Sequence, residues 1–467
     1  MSEVDEKFVI PLKYAGSEPS VWTEYIQMAI DYKPLNLGQG FPDYPPPKYI
    51  MDTLAKVSNE SDYMLHQYTR GFVSKVLTNP GSSILLLEFD MLNRYSIITI
   101  FNLNSIDFLQ TFQGHPRLVR ALSKLYSKLI GREINEKTEI LTTSGAYEAL
   151  FSTISGHTDV GDEVIIIEPF FDCYEAMVKY AGGVPRFIPL RLKAVSGRIP
   201  TSEDWVLDKE ELKSLFNKKT KIIILNTPNN PLGKVYSLEE LTFIADLCKK
   251  WNVLCISDEV YEWLVYKPHK HIRMATLPDM WKRTVTIGSA GKTFSVTGWK
   301  VGWAYCPENL MRNIQMVHQN TVYTGVTPIQ EAVAIAFETE MDRLGKEDCF
   351  FVSLAKDLES KRDYMANVLS EVGMKPTIPD GGYFMLADWS ALESKVDVSS
   401  ESDQYKDYRF TKWMTKKVGL QGIPPTVFYS TPNKHLAENF VRFCFIKKHE
   451  TLKQAEDILK RWKTTEN

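Results

Sequence analysis

The stretch Ser289-Ala290-Gly291-Lys292-Thr293-Phe294-Ser295-Val296-Thr297-Gly298-Trp299-Lys300 decides how this chain is read. An apolar run, Thr284 to Gly288, enters it as a strand, and a second, Val301 to Cys306, leaves it. A lysine therefore sits in a loop of small residues, with a serine three positions before it and another cation eight after. Small neighbours let an amine approach a planar ligand, and a hydroxyl, a backbone turn and a cation together suit a phosphate. A lysine so placed can attack a carbonyl. Taken alone, the same residues also describe a surface loop with two solvated lysines. Ser289-x-x-Lys292 further fits the Ser/Lys hydrolases, but Ser257-Asp258 is followed by Glu259 instead of Asn, and no Lys-Thr-Gly occurs.

Working outward, apolar strands recur at Thr138–Thr143, Glu163–Glu168, Pro185–Pro189, Lys221–Asn226 and Val253–Asp258, with helical segments between most of them. That alternation predicts an α/β fold with a mostly parallel sheet covered on both faces. Ligands of such sheets bind beyond the carboxyl ends of the strands. Four of those ends carry polar or aromatic clusters: Phe170-Phe171-Asp172-Cys173-Tyr174, Asn226 to Lys234, Ser257-Asp258-Glu259-Val260-Tyr261, and the lysine loop. A fifth, Ser144-Gly145-Ala146-Tyr147, opens a helix whose free N–H groups suit an anion. From Tyr323 onward the pattern becomes helical, then a hairpin pair over Met374–Asp388, then a strand at Val441–Ile446 with Arg442 inside it. This predicts a large domain over 51–322 and a smaller α+β domain over 323–467, which residues 1–50 join.

The chain has 467 residues and a net charge of -3, which argues against nucleic acid or a membrane surface as partner. Its six cysteines are scattered, with no C-x-x-C pair and no His/Cys cluster, so no metal site is expected. The acidic start Met1-Ser2-Glu3-Val4-Asp5-Glu6-Lys7 resembles neither a secretory signal nor a transit peptide. Cytosol is the expected compartment, with the mitochondrion the alternative. Gly38 and Gly40 lack the third glycine of a dinucleotide fingerprint, but they still let backbone approach a ligand.

The lysine loop and the strand-end clusters resemble those of the fold-type I pyridoxal-phosphate aminotransferases. The nearest likeness is to the kynurenine aminotransferase, glutamine transaminase K and cysteine-S-conjugate β-lyase group. In that family the large domain carries a seven-stranded sheet. The resemblance implies pyridoxal 5′-phosphate as cofactor, held by Lys292 as catalytic amine, with Asp258 facing the ring nitrogen and Asn230 and Tyr261 donating to the phenolic oxygen. It implies a phosphate anchor of Gly145, Ala146, Ser289 and Lys300, completed by Tyr68 from a second subunit of a homodimer. Phe171 would stack on the ring, although Phe170 or Phe171 could equally be core, and Tyr147 would flank cofactor and substrate. Arg442 would grip the substrate carboxylate, with Trp22 and the Gly40 loop over the pocket and Tyr323 and Thr324 entering from the partner. Tyr-Thr at that pair is the pattern of the third subtype of the group, whereas the first has Phe-His. The implied activity is transamination of L-kynurenine to kynurenic acid, and of glutamine, methionine or aromatic amino acids, with a 2-oxo acid acceptor. Cysteine-conjugate β-elimination is the implied side reaction. Another reaction on the same scaffold, or an inactive isoform, is the alternative.

One block stands outside the resemblance. His66-Gln67-Tyr68-Thr69-Arg70-Gly71-Phe72 should run directly into a Gly-His-Pro-x-Leu helix start, but that start, Gly114-His115-Pro116-Arg117-Leu118, comes 41 residues late. Residues Val73–Gln113 contain no Ala and no Trp, are dense in Leu, Ile, Phe, Asn and Ser, and keep neither helical nor strand periodicity. Val73-Ser74 can be encoded by the usual start of an intron and Phe112-Gln113 by the usual end. The block reads as a retained intron, with a lineage-specific loop as the competing reading; loops of this length without structure are uncommon.

Overall fold

A computed structural model describes residues 10–11, 14, 20–69 and 113–465. Apart from Gln113, the block Val73–Gln113 lies outside the described residues. A seven-stranded sheet organises the described chain. In chain order its strands are β1 (Ile140–Thr143), β2 (Glu163–Glu168), β3 (Val184–Pro189), β4 (Thr220–Asn226), β5 (Leu254–Asp258), β6 (Thr284–Ser289) and β7 (Gly302–Tyr305). In space they run β1-β7-β6-β5-β4-β2-β3. Only β7 is antiparallel to its neighbours, so the expected mostly parallel sheet is present.

The strands form because their apolar runs are continuous. Ile222-Ile223-Ile224-Leu225 and Val164-Ile165-Ile166-Ile167 are buried on both faces of the sheet, as parallel strands require. Helices cover both faces, and their ends are written locally. Ser237 and Glu240 form a reciprocal capping box at the start of Leu238–Trp251, and Asn252 at φ 54° closes it. Because six strands point one way, their carboxyl ends share one edge, where Ser144-Gly145, Phe171, Asn226, Asp258 and Ser289 collect. The reversed strand β7 begins at that same edge, just after Lys300.

The C-terminal part forms a three-stranded antiparallel sheet of β8 (Lys375–Thr377), β9 (Phe384–Asp388) and β10 (Phe440–Cys444). The expected hairpin over Met374–Asp388 is β8 with β9. The pair Leu35–Asn36 lies parallel to Leu420–Gln421, which ties the N-terminal segment to this region. The helix Thr327–Arg343, assigned by sequence to the smaller domain, packs instead on Lys48–Ser58 and Pro116–Ile130. Arg117 bonds both Glu331 and Glu338 across that contact, at 2.6 Å each.

The two regions meet tightly at the turn after β4. Gly233 has φ +76°, a conformation costly for any side chain, and a Cβ there would lie 2.3 Å from the Cβ of Pro379. Its carbonyl accepts the N–H groups of Asp380 and Gly381. Gly233→Ala should therefore destabilise the protein by roughly 2 kcal/mol or more. A urea-denaturation midpoint equal to that of the wild type would refute this account of the junction.

Candidate functional site

At the shared edge lies a cavity of about 290 Å³. Its wall includes Trp22, Gly40, Gly145, Ala146, Tyr147, Phe171, Asn230, Asp258, Tyr261, Ser289, Lys292, Lys300 and Arg442. Sequence reading singled out every one of these. Tyr68, Tyr323 and Thr324, expected from a second subunit, are absent from the wall. Tyr68 is 74 % exposed, and its ring meets Tyr323 edge-on at 5.9 Å. Of the two phenylalanines, Phe171 faces the cavity, while Phe170 is buried and stacks on Phe187.

Asp258 ends β5, deep in the wall. Its Oδ2 accepts the hydroxyl of Tyr174 at 2.5 Å. Burial pushes its carboxyl up to about 6, and the Tyr174 bond holds it below a still higher value. Asn226, at the end of β4, fixes the neighbouring backbone: its amide donates to the Asp258 carbonyl at 3.0 Å and its oxygen accepts the Asn230 N–H at 2.8 Å. The next acid, Glu259, contacts His271 from behind at 2.7 Å and also accepts Ser257. Beside it Glu262 is tied to Arg273 and accepts Tyr126. Glu259, Glu262 and His271 lie close enough to ligate a cation together. Each is already engaged in these ion pairs, and Arg273 occupies the place of positive charge.

Lys292 follows β6 in a single helical turn, Ala290–Thr293. Its Nζ donates to the Tyr383 hydroxyl at 2.8 Å. Burial lowers its pKa to about 8, helped by Lys300 and Arg442. A larger fraction of its amine is therefore neutral near physiological pH than for an exposed lysine, as a nucleophile needs. Lys300 approaches the start of the helix Gly145–His157: a Cβ on Gly145 would sit 3.5 Å from its Nζ. A cation, the Ser289 hydroxyl and a helix N-terminus thus share one end of the cavity, a donor set suited to a phosphate.

At the other end Arg442 is 1 % exposed. Nη1 donates to Asn230 Oδ1 at 3.1 Å and Nη2 to the Gly38 carbonyl at 2.8 Å. The rings of Phe384, Phe428 and Trp22 lie 4.1, 4.9 and 5.4 Å from its carbon. Its Nε is buried without a partner, and burial pushes its pKa down to about 10. Trp22 is held over it by a 2.8 Å bond from its indole N–H to Asp172.

Sequence reading did not single out Tyr174, Asp172, Asn226, Phe384 or Tyr383 as site residues. Tyr174, Asp172 and Asn226 lie in strand-end clusters that sequence reading did mark, one to four positions from a chosen residue.

A family model described as aminotransferase class I and II matches residues 99–459. Kynurenine–oxoglutarate transaminase 3 of Homo sapiens is 50% identical over 98% of this chain and 91% of its own length. Kynurenine–oxoglutarate transaminase 1 of Rattus norvegicus is 42% identical over 96% of each. Among solved structures, Bna3p of Saccharomyces cerevisiae, described as a candidate kynurenine aminotransferase, superposes with a TM-score of 0.82 at 30% identity, over 98% of this chain and 99% of its own.

The raised Asp258 pKa carries a stability consequence. The folded protein binds this proton more tightly than the unfolded chain, whose value is near 3.8. The contribution is full below about pH 4 and is lost as pH rises through about 6. Without ligand, the wild type should lose roughly 2 kcal/mol more than Asp258→Asn between pH 4 and pH 7. Urea midpoints across that range test this, and parallel curves for the two proteins would contradict it.

Proposed function

The chain belongs to the class I and II aminotransferases, and from that premise we propose that it transfers the amino group of L-kynurenine to a 2-oxo acid such as oxoglutarate, with pyridoxal 5′-phosphate held on Lys292. One observation carries the reading: Lys292, Asp258 and Arg442 face a single cavity whose far end offers Gly145, Ser289 and Lys300. The residues present fit the cofactor, because an anion, a planar ring and an aldehyde each meet a suitable partner. Bound there, pyridoxal phosphate would supply the aldehyde that captures the substrate amine and the ring that draws electrons from Cα.

The chain's own residues do the rest. Lys292 offers a neutral amine to bond the aldehyde and afterwards to move the Cα proton. Asp258, oriented by Tyr174, would hold positive charge on the ring nitrogen, and that charge would in turn favour its ionised form. Tyr261 and Asn230 would donate to the ring oxygen, with Phe171 and Tyr147 on the same cavity wall to hold the ring. Gly145, Ala146, Ser289 and Lys300 would hold the phosphate. Arg442 turns its N–H groups to the substrate carboxylate, and Trp22 and Gly40 close over it. Glutamine, methionine and aromatic amino acids are further donors, and a leaving group at Cβ would divert the reaction to β-elimination. The active unit is a homodimer in which Tyr68, Tyr323 and Thr324 of each chain complete the other's cavity. Six buried free thiols support a reducing compartment such as the cytosol. Among the described residues no helix is long and apolar enough to cross a membrane.

An absorbance spectrum of the purified protein tests the cofactor and the substrate together. A visible band should be present, should shift on adding kynurenine, and should disappear in Lys292→Ala. Transamination with oxoglutarate should fall by at least about 10³-fold in that variant. A colourless wild type that binds no added cofactor would end this reading.

We further infer that residues 73–113 are extraneous to the enzyme. The chain on either side is tied to one glutamine. Gln330 donates to Thr69 at 3.3 Å, and its oxygen accepts the His115 N–H at 2.9 Å. The same oxygen accepts the Thr142 hydroxyl at 2.8 Å. Flanks this close need only a short link. Removing the 41 residues from the 467 leaves 426. The shortened chain should be soluble and active, and the full chain weakly so. Equal activity of the two would refute the inference.

A further inference from the structure

Four successive carbonyls of the loop over the cavity are held by three side chains from the C-terminal region. Gly38 O accepts Arg442 at 2.8 Å, and Gln39 O and Phe41 O accept Lys447 at 3.2 and 2.9 Å. Gly40 O accepts the Tyr383 hydroxyl at 3.0 Å. That hydroxyl also accepts the amine of Lys292, at 2.8 Å. A line therefore runs from the lysine amine through one phenol to the loop.

We propose that Tyr383 is a positioning residue that holds the Lys292 amine whenever it is not covalently engaged, and sets that hold by its bond to the Gly40 carbonyl. The inference rests on the role given above to Lys292.

The direction of each bond follows from the groups. A carbonyl can only accept, so in its bond to Gly40 the Tyr383 hydroxyl is the donor, with the Tyr261 hydroxyl also in hydrogen-bond contact with it. Tyr383 then has only lone pairs to offer, and Lys292 must be the donor. When the amine is neutral, its own lone pair is left pointing away from Tyr383, free to take a proton. The phenol cannot drift from this arrangement. Tyr383 is 1 % exposed, its ring packs edge-on to Tyr261 at 5.1 Å and lies 4.8 Å from Phe384, and its carbonyl accepts the Phe445 N–H at 3.0 Å. Gly40 must be glycine for the loop to come this close, because a Cβ there would lie 2.4 Å from the Phe384 ring. The loop and the amine are thus registered to one another through a single hydroxyl.

Tyr383→Phe keeps the ring and its packing and removes only that hydroxyl. Two measurements on the protein without cofactor read the result. The pH dependence of Lys292 labelling by trinitrobenzenesulfonate, followed on its peptide by mass spectrometry, should shift down by about one unit, because the ammonium loses an acceptor. Amide exchange over residues 38–43 should quicken by about 5- to 10-fold. In the enzyme with cofactor, kcat should fall about 10-fold or more while KM for the amino acid stays within about 2-fold, and the isotope effect on the Cα–H step should rise. An unchanged lysine titration or an unchanged loop exchange overturns the proposal. Neither readout needs turnover, so both can shift in a protein that proves not to transaminate; that result would sink the proposed function and leave this inference standing.

Discussion

A guanidinium buried to 1 % exposure has to be surrounded by acceptors and ring faces, and Arg442 draws three separate parts of the chain together to meet that need. Asn230 comes from the loop after β4, the Gly38 carbonyl from the N-terminal segment, and Phe384 and Phe428 from the C-terminal region. Arg442 itself sits in β10, fixed in register against Leu386 of β9. The N-terminal segment is therefore docked by electrostatics as well as by its short pairing with Leu420–Gln421. The demand is not fully met, since Nε has no partner and the pKa is pushed down. An incoming carboxylate would supply the missing acceptor, so the strain of burying the cation becomes affinity for an anion.

The same logic holds at the other two ionisable groups of the cavity wall. Burial raises Asp258 and lowers Lys292, so each is held away from its charged form. A ligand with positive charge near Asp258 and a carbonyl near Lys292 relieves both. Neighbouring charges are arranged so that they do not swamp this effect. Glu259 adjoins Asp258 and raises it further, but His271 and Arg273 hold Glu259 low, and Arg273 also pairs Glu262 behind the sheet edge. Asp258 is thus left as the carboxylate facing the cavity, on the same wall as Lys292, Lys300 and Arg442.

The sheet and much of the cavity were readable from sequence because both depend on local signals. Continuous Ile and Val runs mark strands buried on both faces, and a parallel sheet then places their polar ends at one edge without further information. Lys292, Asp258, Asn230 and Arg442 each sit one to four residues past, or inside, such a run. What escaped depends on contacts between distant parts of the chain. Tyr174 reaches Asp258 across 84 positions, and Lys292 reaches Tyr383 across 91. A tyrosine among apolar neighbours looks the same whether its hydroxyl points at water, a backbone carbonyl or a catalytic lysine. The partners of the helix Thr327–Arg343 escaped for a related reason: its periodicity gives a buried face but not the helices that cover it, and Arg117 with its two glutamates shows that only in three dimensions.

The loop at 36–43 shows why a site of this kind is built from backbone as well as side chains. Its carbonyls meet Arg442, Lys447 and Tyr383, so partial negative charge is delivered to cationic groups without adding a carboxylate. A carboxylate there would bind the arginine too firmly and compete with a substrate of the same charge. A carbonyl is weaker, uncharged and displaceable, so it can satisfy the cation in the absence of ligand and yield when an anion arrives. The cost is geometric: the backbone must come within hydrogen-bond reach of buried groups, which leaves no room for a Cβ at Gly40 beside the Phe384 ring. The glycines at 38 and 40, too few for a nucleotide fingerprint, are what that close approach requires.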